Sequence, residues 1–297
     1  MRSIAVFASV FLTACAASPV AAPTPAPVSV SADTTPTSTV DWTRIVEAEA
    51  EALAAKHADA QVRIVVFDPV ASALLASVGP VEQASPTGSS IKPLTVYAAL
   101  VAGLDPSLSI DASDPITIGD MTIEDHRNNG VLTLQTAIAR SSNIAIAHVL
   151  DAVPWTDVYP WVESAVGLPA ADGLSRSEAV AQLGGFTTQA PLERMVRAYA
   201  QMERDPDAGA KVLSMLEAAV GTDGTGHEAR VEGLSVLGKT GTARGDDGTQ
   251  AVFIGRASNG EQSVWIGVSV GTPGADAYGS TVAAPAFARI SAAALSL

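Results

Sequence analysis

The sequence predicts an α/β fold in which a mainly antiparallel sheet is flanked by helices, with a helical lobe beside the sheet. Runs typical of strands lie near both ends of the chain beyond residue 60, and the segments between them have the apolar spacing of helices. Strands that are distant in the sequence must therefore meet in one sheet. Hydrophobic residues make up 47% of the 297 residues and charged residues 16%, which is enough apolar material for a packed core.

A helix over Trp42–Lys56 is the first predicted element of this fold. Asp41 precedes it, and its short carboxylate side chain suits an N-cap. The spacing of Ile45, Ala48 and Ala52 predicts that these three residues face the core.

The remaining elements follow in chain order, each identified from its apolar spacing and its flanking turn residues. The first two strands form a hairpin, because Asp68-Pro69 begins a turn between them. The predicted strands cover residues 62–67, 73–77, 234–237, 252–254 and 264–270. The predicted helices after the first cover residues 90–102, 132–139, 144–150, 191–202 and 285–295.

The N-terminal segment has the composition of a targeting sequence and a linker. Arg2 precedes an apolar run that is too short to span a bilayer, so residues 1–15 are predicted to be an export signal. The small residues before Cys15 resemble a lipobox, which predicts a lipidated cysteine; an ordinary signal peptide with a chance cysteine is the alternative. Residues 16–40 are rich in Ala, Pro, Ser and Thr and are predicted to be an extended tether before a folded domain over 41–297.

Composition excludes several classes of function. The net charge of -14 and the lack of basic clusters argue against nucleic acid as a partner. Cys15 is the single cysteine, which rules out an internal disulfide and a cysteine-based zinc site. The four histidines are scattered without a metal-ligand spacing, so the sequence predicts neither a metal nor a cofactor.

Ser89 and Lys92 form the first stretch that carries chemistry. On a helix their spacing of three places both side chains on one face, within reach of each other. A serine hydroxyl becomes a good nucleophile when a base removes its proton, and lysine can act as that base once burial or nearby positive charge lowers its pKa. Pro93 is tolerated only in the first turn of a helix, which predicts a helix that begins close to Ser89. An ordinary capped helix start is the alternative for this stretch taken alone.

Two further stretches contain polar residues suited to binding. Ser141 and Asn143 lie on a turn between two predicted helices, where a hydroxyl can relay a proton and an amide can hold a peptide group, although Ser-Ser-Asn is also a common capping sequence.

The last stretch, Gly238-Lys239-Thr240-Gly241-Thr242, follows a predicted strand. Strand alternation predicts that Thr240 and Thr242 face one side, with Lys239 on the other unless an edge position redirects it. Gly241 would allow a ligand backbone to lie close to this edge, and lysine and threonine suit a carboxylate. A solvated turn is the alternative.

Together, these stretches occur in the order Ser-x-x-Lys, Ser-x-Asn and Lys-Thr-Gly, which is the catalytic signature of penicillin-recognising serine enzymes. The chain resembles the transpeptidase domain of penicillin-binding proteins over residues 60–297. The resemblance implies the fold of penicillin-binding transpeptidase domains, which serine β-lactamases share. The segments that carry it are PTGSSIKPLTVYAAL, DHRNNGVLTLQTAIARSSNIAIAHV, GGFTTQAPLERMVRAYAQM, VLGKTGTAR, AVFIGRA and GSTVAAPAFARISAAAL.

The resemblance implies a serine D,D-transpeptidase or D,D-carboxypeptidase. Ser89 would attack a D-alanyl-D-alanine stem peptide of peptidoglycan, with Lys92 as the general base and Ser141 passing a proton to the leaving amine. A second peptide amine or water would then release the acyl group. The implied partners are stem peptides, β-lactam antibiotics as inhibitors or substrates, and a bacterial membrane reached through the lipid anchor, facing the periplasm or the cell exterior.

The resemblance also assigns the binding residues. Asn143 would hold the substrate amide, Lys239 would fix the electrostatics, and Thr240 and Thr242 would bind the terminal carboxylate beside Gly241. The backbone N–H groups of the nucleophile and Thr242 would form the oxyanion hole.

Two alternatives to a transpeptidase stay open at this point. A serine β-lactamase would use the same acylation and add a base for water; no Glu-x-x-Leu-Asn element is present, but a carboxylated Lys92 would serve the same purpose. A non-enzymatic β-lactam sensor or cell-wall scaffold lipoprotein would be acylated without turnover.

Overall fold

The computed structural model describes residues 40–245, 248–272 and 277–296. The predicted export signal, the lipidated Cys15 and almost all of the predicted tether lie outside the described residues. Among the described residues, no helix has both the length and the apolar character needed to cross a membrane.

The described residues form a mixture of helices and strands that alternates along the chain. The α-helices are α1 (Trp42–Lys56), α2 (Lys92–Val101), α3 (Leu134–Ala139), α4 (Asn143–Ala152), α5 (Trp155–Val166), α6 (Arg176–Gly184), α7 (Leu192–Glu203), α8 (Ala208–Ala219) and α9 (Ala284–Leu295). The strands are β1 (Gln61–Asp68), β2 (Ala73–Val78), β3 (Ala84–Pro86), β4 (Ser109–Asp111), β5 (Ile116–Ile118), β6 (Met121–Ile123), β7 (Val131–Thr133), β8 (Gln189–Pro191), β9 (Ser235–Gly245), β10 (Gly248–Ser258) and β11 (Ser263–Thr272). A π-helical turn, Gly279–Ala283, leads into α9.

Five strands form the main sheet in the order β2-β1-β11-β10-β9, and every neighbouring pair in it is antiparallel. β1 pairs with β11 although about 200 residues separate them in the sequence. The predicted α/β fold with a mainly antiparallel sheet of chain-distant strands is therefore confirmed. β9, which carries the Lys-Thr-Gly stretch, is an edge strand of this sheet.

Apolar residues pack on both faces of the sheet. On β1, Val65 and Phe67 join the core cluster shared with α2, α4, α5 and α7, whereas Ile64 and Val66 join the cluster shared with α1 and α9. This alternation explains the uninterrupted apolar run from Ile64 to Phe67, because a strand covered on both faces needs no polar side. The helices between β3 and β9 form the predicted lobe.

The predicted bounds of α1 are correct, but its predicted core face is wrong. Asp41 caps α1 by accepting a hydrogen bond from the backbone N–H of Arg44 at 3.1 Å. Ala48 and Ala52 are exposed and Ile45 is only partly buried, while the buried face is formed by Trp42, Val46, Glu49, Ala50 and Leu53. Alanines occur all around this helix and give little directional signal, so the larger Trp42, Val46 and Leu53 determine which face is buried.

Three other predicted elements differ clearly at their bounds. The predicted helix over 132–139 begins only at Leu134, because Val131–Thr133 pairs with Ser109–Asp111 as a short strand. The side chain of Thr133 then caps α3. The strands around the Lys-Thr-Gly stretch extend further than their apolar cores predicted, since β9 and β10 form a hairpin of 11 residues each.

Candidate active site

A short 3-10 helix, Gly88–Ile91, holds Ser89 immediately before α2. The prediction of a helix beginning near Ser89, with Pro93 in its first turn, is confirmed. Gly88 has a φ of +52°, and a Cβ atom there would lie 2.6 Å from the backbone nitrogen of Thr242. Only glycine fits this close, left-handed position, so Gly88 brings the serine turn against the backbone of β9.

The two adjacent serines of this turn have different environments. Ser89 is partly exposed, and its hydroxyl makes no hydrogen bond within the described part of the chain. Ser90 is fully buried, and its hydroxyl donates to the carbonyl of Thr87 at 2.8 Å. Tyr199 fixes the same turn by donating to the carbonyl of Ser90 at 2.6 Å. Ser90 therefore has a structural role, and Ser89 is the serine that a ligand can reach.

Lys92 is fully buried beneath this turn. Its Nζ donates to the carbonyl oxygen of Ser141 at 2.8 Å and to Oδ1 of Asn143 at 2.6 Å. Burial lowers the pKa of Lys92 to about 7, against the opposing effect of the Asp125 carboxylate, because a charged amine loses its hydration inside the protein.

The two hydrogen bonds of Lys92 are compatible with its neutral form. A charged lysine has three N–H donors and no acceptor, whereas a neutral amine has two N–H donors and one lone pair. Ser141 and Asn143 accept two hydrogen bonds from Nζ. A neutral Lys92 would thus have both donors satisfied and its lone pair available to accept a proton.

The Ser-Ser-Asn stretch forms the sharp junction between α3 and α4. Ser141 adopts a left-handed φ of +60°, which is strained for a residue with a side chain. Its hydroxyl accepts a hydrogen bond from Nζ of Lys239 at 2.9 Å, so the first and third stretches both reach this one serine. Ser142 is the N-cap of α4, with Oγ accepting from the N–H of Ala145 at 3.0 Å.

Asp125 holds this junction in place, and sequence reasoning did not identify it. Its Oδ2 accepts from Ser142 Oγ at 2.6 Å and from Asn129 Nδ2 at 2.7 Å. Its Oδ1 accepts from the backbone N–H groups of Asn143 at 2.5 Å and Ile144 at 3.2 Å. Asp125 lies in a loop 18 residues before Asn143, and a loop gives no periodic signal from which this contact could be predicted.

Lys239 is the second buried lysine of the site. Besides Ser141, its Nζ also donates to the carbonyl of Thr240 at 2.9 Å. Burial, and secondarily the charge of Lys92, hold the pKa of Lys239 well below its usual range. The amines of Lys92 and Lys239 therefore both contact Ser141, and neither forms an ion pair with a carboxylate among the described residues.

The alternation predicted for β9 is present. Gly241 lies on the same face as Lys239, and a Cβ there would be 2.3 Å from the backbone carbonyl oxygen of Thr87, so only glycine allows the serine turn to pack on this face. Thr240 and Thr242 point to the other face.

The two threonine hydroxyls are held by residues that sequence reasoning also missed. Oγ1 of Thr240 shares a 2.6 Å hydrogen bond with Oγ1 of Thr225. Oγ1 of Thr242 accepts from the backbone N–H of Gly279 at 3.0 Å, which leaves its own O–H proton available. Thr242 is partly exposed, whereas Thr240 is buried, so Thr242 is the more accessible of the two.

The structure thus brings together the three stretches that the sequence singled out. No group of metal-binding side chains occurs among the residues described here. A reachable serine, a buried amine of lowered pKa and a second amine on a bridging hydroxyl are the components of nucleophilic acyl transfer.

Comparison with known proteins gives a consistent result. A family model described as "Penicillin binding protein transpeptidase domain" matches residues 62–292. The chain is 25% identical over 256 residues to a probable peptidoglycan D,D-transpeptidase PenA of Neisseria flavescens, covering 71% of this chain and 64% of the relative. It is 29% identical over 232 residues to penicillin-binding protein 1A of Aquifex aeolicus, covering 67% of this chain and 31% of the relative. The matched part therefore spans less than two thirds of either relative's length.

Solved structures show the same fold. A crystal structure of a peptidoglycan glycosyltransferase from Burkholderia ambifaria superposes with a TM-score of 0.75 at 23% identity, covering 84% of this chain and 93% of that one. The transpeptidase domain of penicillin-binding protein 3 from Burkholderia pseudomallei gives a TM-score of 0.75 at 23% identity, covering 85% and 92% of the two chains.

Proposed function

The chain belongs to the penicillin-binding protein transpeptidase domain family, and from this membership we propose that it is a serine D,D-transpeptidase acting on the D-alanyl-D-alanine end of peptidoglycan stem peptides. The observation that carries the proposal is the environment of Lys92. This amine is buried directly behind the turn that presents Ser89, has a pKa of about 7, and has acceptors for both N–H groups of its neutral form.

Acylation begins when Oγ of Ser89 attacks the carbonyl carbon of the penultimate D-alanine. The hydroxyl proton passes to the lone pair of Lys92, so a new C–O bond forms as the carbonyl oxygen becomes an oxyanion. The C–N bond to the terminal D-alanine then breaks, and the leaving nitrogen takes a proton from Oγ of Ser141. Ser141 is resupplied by the Lys239 ammonium that donates to it at 2.9 Å.

The backbone N–H groups of Ser89 and Thr242 are the proposed oxyanion hole. The close approach of Gly88 to the Thr242 backbone supports this assignment, because it brings the two peptide groups side by side. Fixed donors of this kind typically contribute about 3–4 kcal/mol to transition-state stabilisation.

The remaining site residues are proposed to bind the substrate. The O–H of Thr242 and the charge of Lys239 suit the terminal carboxylate, with Thr240 supporting Lys239 through its carbonyl oxygen. Asn143 donates one Nδ2 proton to the carbonyl of Glu124 at 2.8 Å and keeps a second one for a substrate amide.

The acyl-enzyme is resolved by an amine of a second peptide, with water as a competing acceptor. A new C–N bond forms as the ester C–O bond to Ser89 breaks, and Oγ of Ser89 takes back the proton held by Lys92. The proton that the attacking amine loses passes through Ser141 to Lys239, which donates to it at 2.9 Å. The similarity to probable peptidoglycan D,D-transpeptidases supports the cross-linking outcome. β-Lactams are proposed to acylate the same serine. We further propose that the protein is exported and held on a membrane through Cys15, outside the cytoplasm, which rests on the sequence pattern of the N-terminus.

The test is release of D-alanine from an N-acylated peptide ending in D-alanyl-D-alanine, with and without glycine as an acceptor amine. We expect release with the native protein, transfer product when the acceptor is added, and no release with Ser89→Ala. Ser90→Ala is the matched control and should retain release, because Ser90 is buried and bonded within its own turn. Equal release by Ser89→Ala and the native protein would refute the proposal.

A further inference from the structure

The carbonyl group of Ser90 lies where the 3-10 helix Gly88–Ile91 passes into α2. In a 3-10 helix each carbonyl accepts from the N–H three residues ahead, as the carbonyl of Ser89 does from Lys92. The corresponding donor for Ser90 would be residue 93, which is a proline and has no N–H. The α-helical series starts one residue too late to help, because its first acceptor is the carbonyl of the N-cap, Ile91. Neither series therefore supplies a donor to the carbonyl of Ser90.

The hydroxyl of Tyr199 supplies this missing donor. It reaches the carbonyl of Ser90 at 2.6 Å from α7, although the two residues are 109 positions apart in the sequence. Both residues are fully buried, so water cannot take the place of the hydroxyl. Burial also raises the pKa of Tyr199 well above its usual range, so the hydroxyl keeps its proton and stays a donor at neutral pH.

The ring of Tyr199 is itself held by the main sheet. It packs edge-to-face against Trp265 of β11, with ring centroids 5.3 Å apart and an angle of 63° between the planes. The indole N–H of Trp265 donates to Oε2 of Glu203 at 2.6 Å, one helical turn after Tyr199 on α7. Glu203 also pairs with Arg256 of β10. The hydroxyl therefore approaches the serine turn from a support with fixed side chains.

The position of the Ser90 carbonyl bears directly on the nucleophile, because Ser89 precedes it by one peptide group. A rotation of that peptide group would change the direction of Oγ and of the backbone N–H of Ser89. The N-terminal side of the turn is fixed by the contact of Gly88 with the Thr242 backbone, and Tyr199 fixes its C-terminal side. A displacement of about 1 Å at a reacting group can cost about a hundredfold in rate.

We propose that Tyr199 is a positioning residue for acyl transfer: its hydroxyl takes the place of the N–H that Pro93 lacks, and so fixes the turn that directs Ser89 at the substrate. The inference rests on the proposed function, since it names a residue on which acylation of Ser89 depends.

The experiment compares Tyr199→Phe with the matched control Tyr159→Phe. Tyr159 is also a fully buried tyrosine, and its hydroxyl donates outside the serine turn, to the carbonyl of Pro169 at 3.0 Å and to Oε1 of Gln182 at 2.7 Å. Both substitutions thus remove one buried hydroxyl. The rate of labelling by penicillin, measured against penicillin concentration, separates the rate constant of acylation from the dissociation constant of the noncovalent complex.

We expect Tyr199→Phe to lower the rate constant of acylation by about tenfold or more and to leave the dissociation constant within about twofold. Tyr159→Phe should leave both values within about twofold of the native ones. The midpoint of the pH dependence should stay at about 7 in Tyr199→Phe, because burial and Asp125, which set the pKa of Lys92, are unchanged. An unchanged rate constant, an equal fall in the two variants, or a midpoint moved to higher pH would overturn the inference.

Pro93→Ala gives the sharpest variant, because it restores a backbone N–H three residues after Ser90. Combined with Tyr199→Phe, it should raise the rate constant of acylation at least about threefold above that of Tyr199→Phe alone. A double variant that is no faster than Tyr199→Phe overturns the inference. If Tyr199→Phe does not fold by itself, restored folding and acylation in the double variant support the inference, and failure of the double variant to fold overturns it.

The positioning role and the proposed function fail in different ways. Labelling of Ser89 with the same rate constant in the native protein and in Tyr199→Phe refutes the positioning role alone. Phenylboronic acid supplies a readout without a peptide substrate, since it forms a reversible covalent bond with an activated serine. If the native protein neither releases D-alanine nor is labelled by penicillin, but binds phenylboronic acid about tenfold more tightly than Tyr199→Phe does, the proposed function alone is refuted.

Discussion

We expect the substitution Asp125→Asn to slow the acylation of Ser89 and to shift its pH dependence towards lower pH. The carboxylate accepts four hydrogen bonds that fix the Ser-Ser-Asn junction. Asparagine keeps one oxygen for the two backbone N–H groups but replaces Oδ2, which faces the hydroxyl of Ser142 and the amide of Asn129, with a donor. The junction that holds Ser141 should therefore loosen.

The magnitude follows from the interactions that are lost. Hydrogen bonds to a charged group contribute about 1.5–3 kcal/mol each, and the low end applies because Asp125 is partly exposed. Loss of a negative charge at the N-terminus of α4 adds about 0.3–1 kcal/mol. We expect the free energy of unfolding to fall by about 2–4 kcal/mol, measured by urea denaturation, and the maximal acylation rate to fall by at least about tenfold.

The pH dependence distinguishes an electrostatic role from general loosening. Asp125 raises the pKa of Lys92, so removing its charge lowers that pKa from its value of about 7. Lys92 acts in its neutral form, which then persists to lower pH, and the acidic limb of the rate profile should move down. The assay is the second-order rate of labelling by a fluorescent penicillin between about pH 5 and 9. Asp120→Asn, on the exposed β5–β6 turn, is the matched control. It should change neither the position of the acidic limb nor the maximal acylation rate.

If the acidic limb of the pH–rate profile of Asp125→Asn stays in place or moves to higher pH, this reasoning is refuted. An upward shift would mean that loosening admits water to Lys92 and that hydration outweighs the lost carboxylate charge.

Two further predictions follow from the same site, and a third concerns the N-terminal segment. The acylation rate of the native protein should rise with pH around a midpoint of about 7, because Lys92 must be neutral to act as the base. Lys92→Ala should reduce the acylation rate by a factor of about 10² to 10⁴. A rate that does not change between about pH 5 and 9 would contradict the role of Lys92. Nitrocefin should give a burst of one equivalent followed by turnover far below about 10 s⁻¹; fast steady hydrolysis that rises with bicarbonate would favour the β-lactamase alternative with a carboxylated Lys92. The mature protein extracted from membranes should begin at a diacylglyceryl-modified Cys15, measured by intact mass; an unmodified N-terminus elsewhere would contradict it, and firm anchoring requires more than one acyl chain.

The parts of the fold that the sequence predicted are those with a strong local signal. The hairpin of β1 and β2, the helix after Ser89 and the strand bearing Lys239 each combine apolar spacing with a turn residue, and each is present. The face of α1 was predicted wrongly, because alanines around this helix carry too little apolar area to mark one side. Short strands such as Val131–Thr133 were missed, since three residues give no measurable periodicity.

The residues of the candidate site likewise fall into those that the sequence predicted and those that it did not. The three polar stretches could be identified from residue type and order, but the residues that hold them could not. Asp125, Thr225 and Gly279 reach the site from loops or turns, and their contacts depend on tertiary packing across tens of residues.

The most direct test of the central assignment is to locate the penicilloyl group after labelling. The protein is incubated with penicillin, digested, and the adduct is assigned to one residue by fragmentation mass spectrometry, with Ser89→Ala and Ser90→Ala treated in parallel. We predict an adduct on Ser89 in the native protein and in Ser90→Ala, and none in Ser89→Ala. An adduct on Ser90 or Ser141, or labelling that survives Ser89→Ala, would contradict the assignment of Ser89 as the nucleophile.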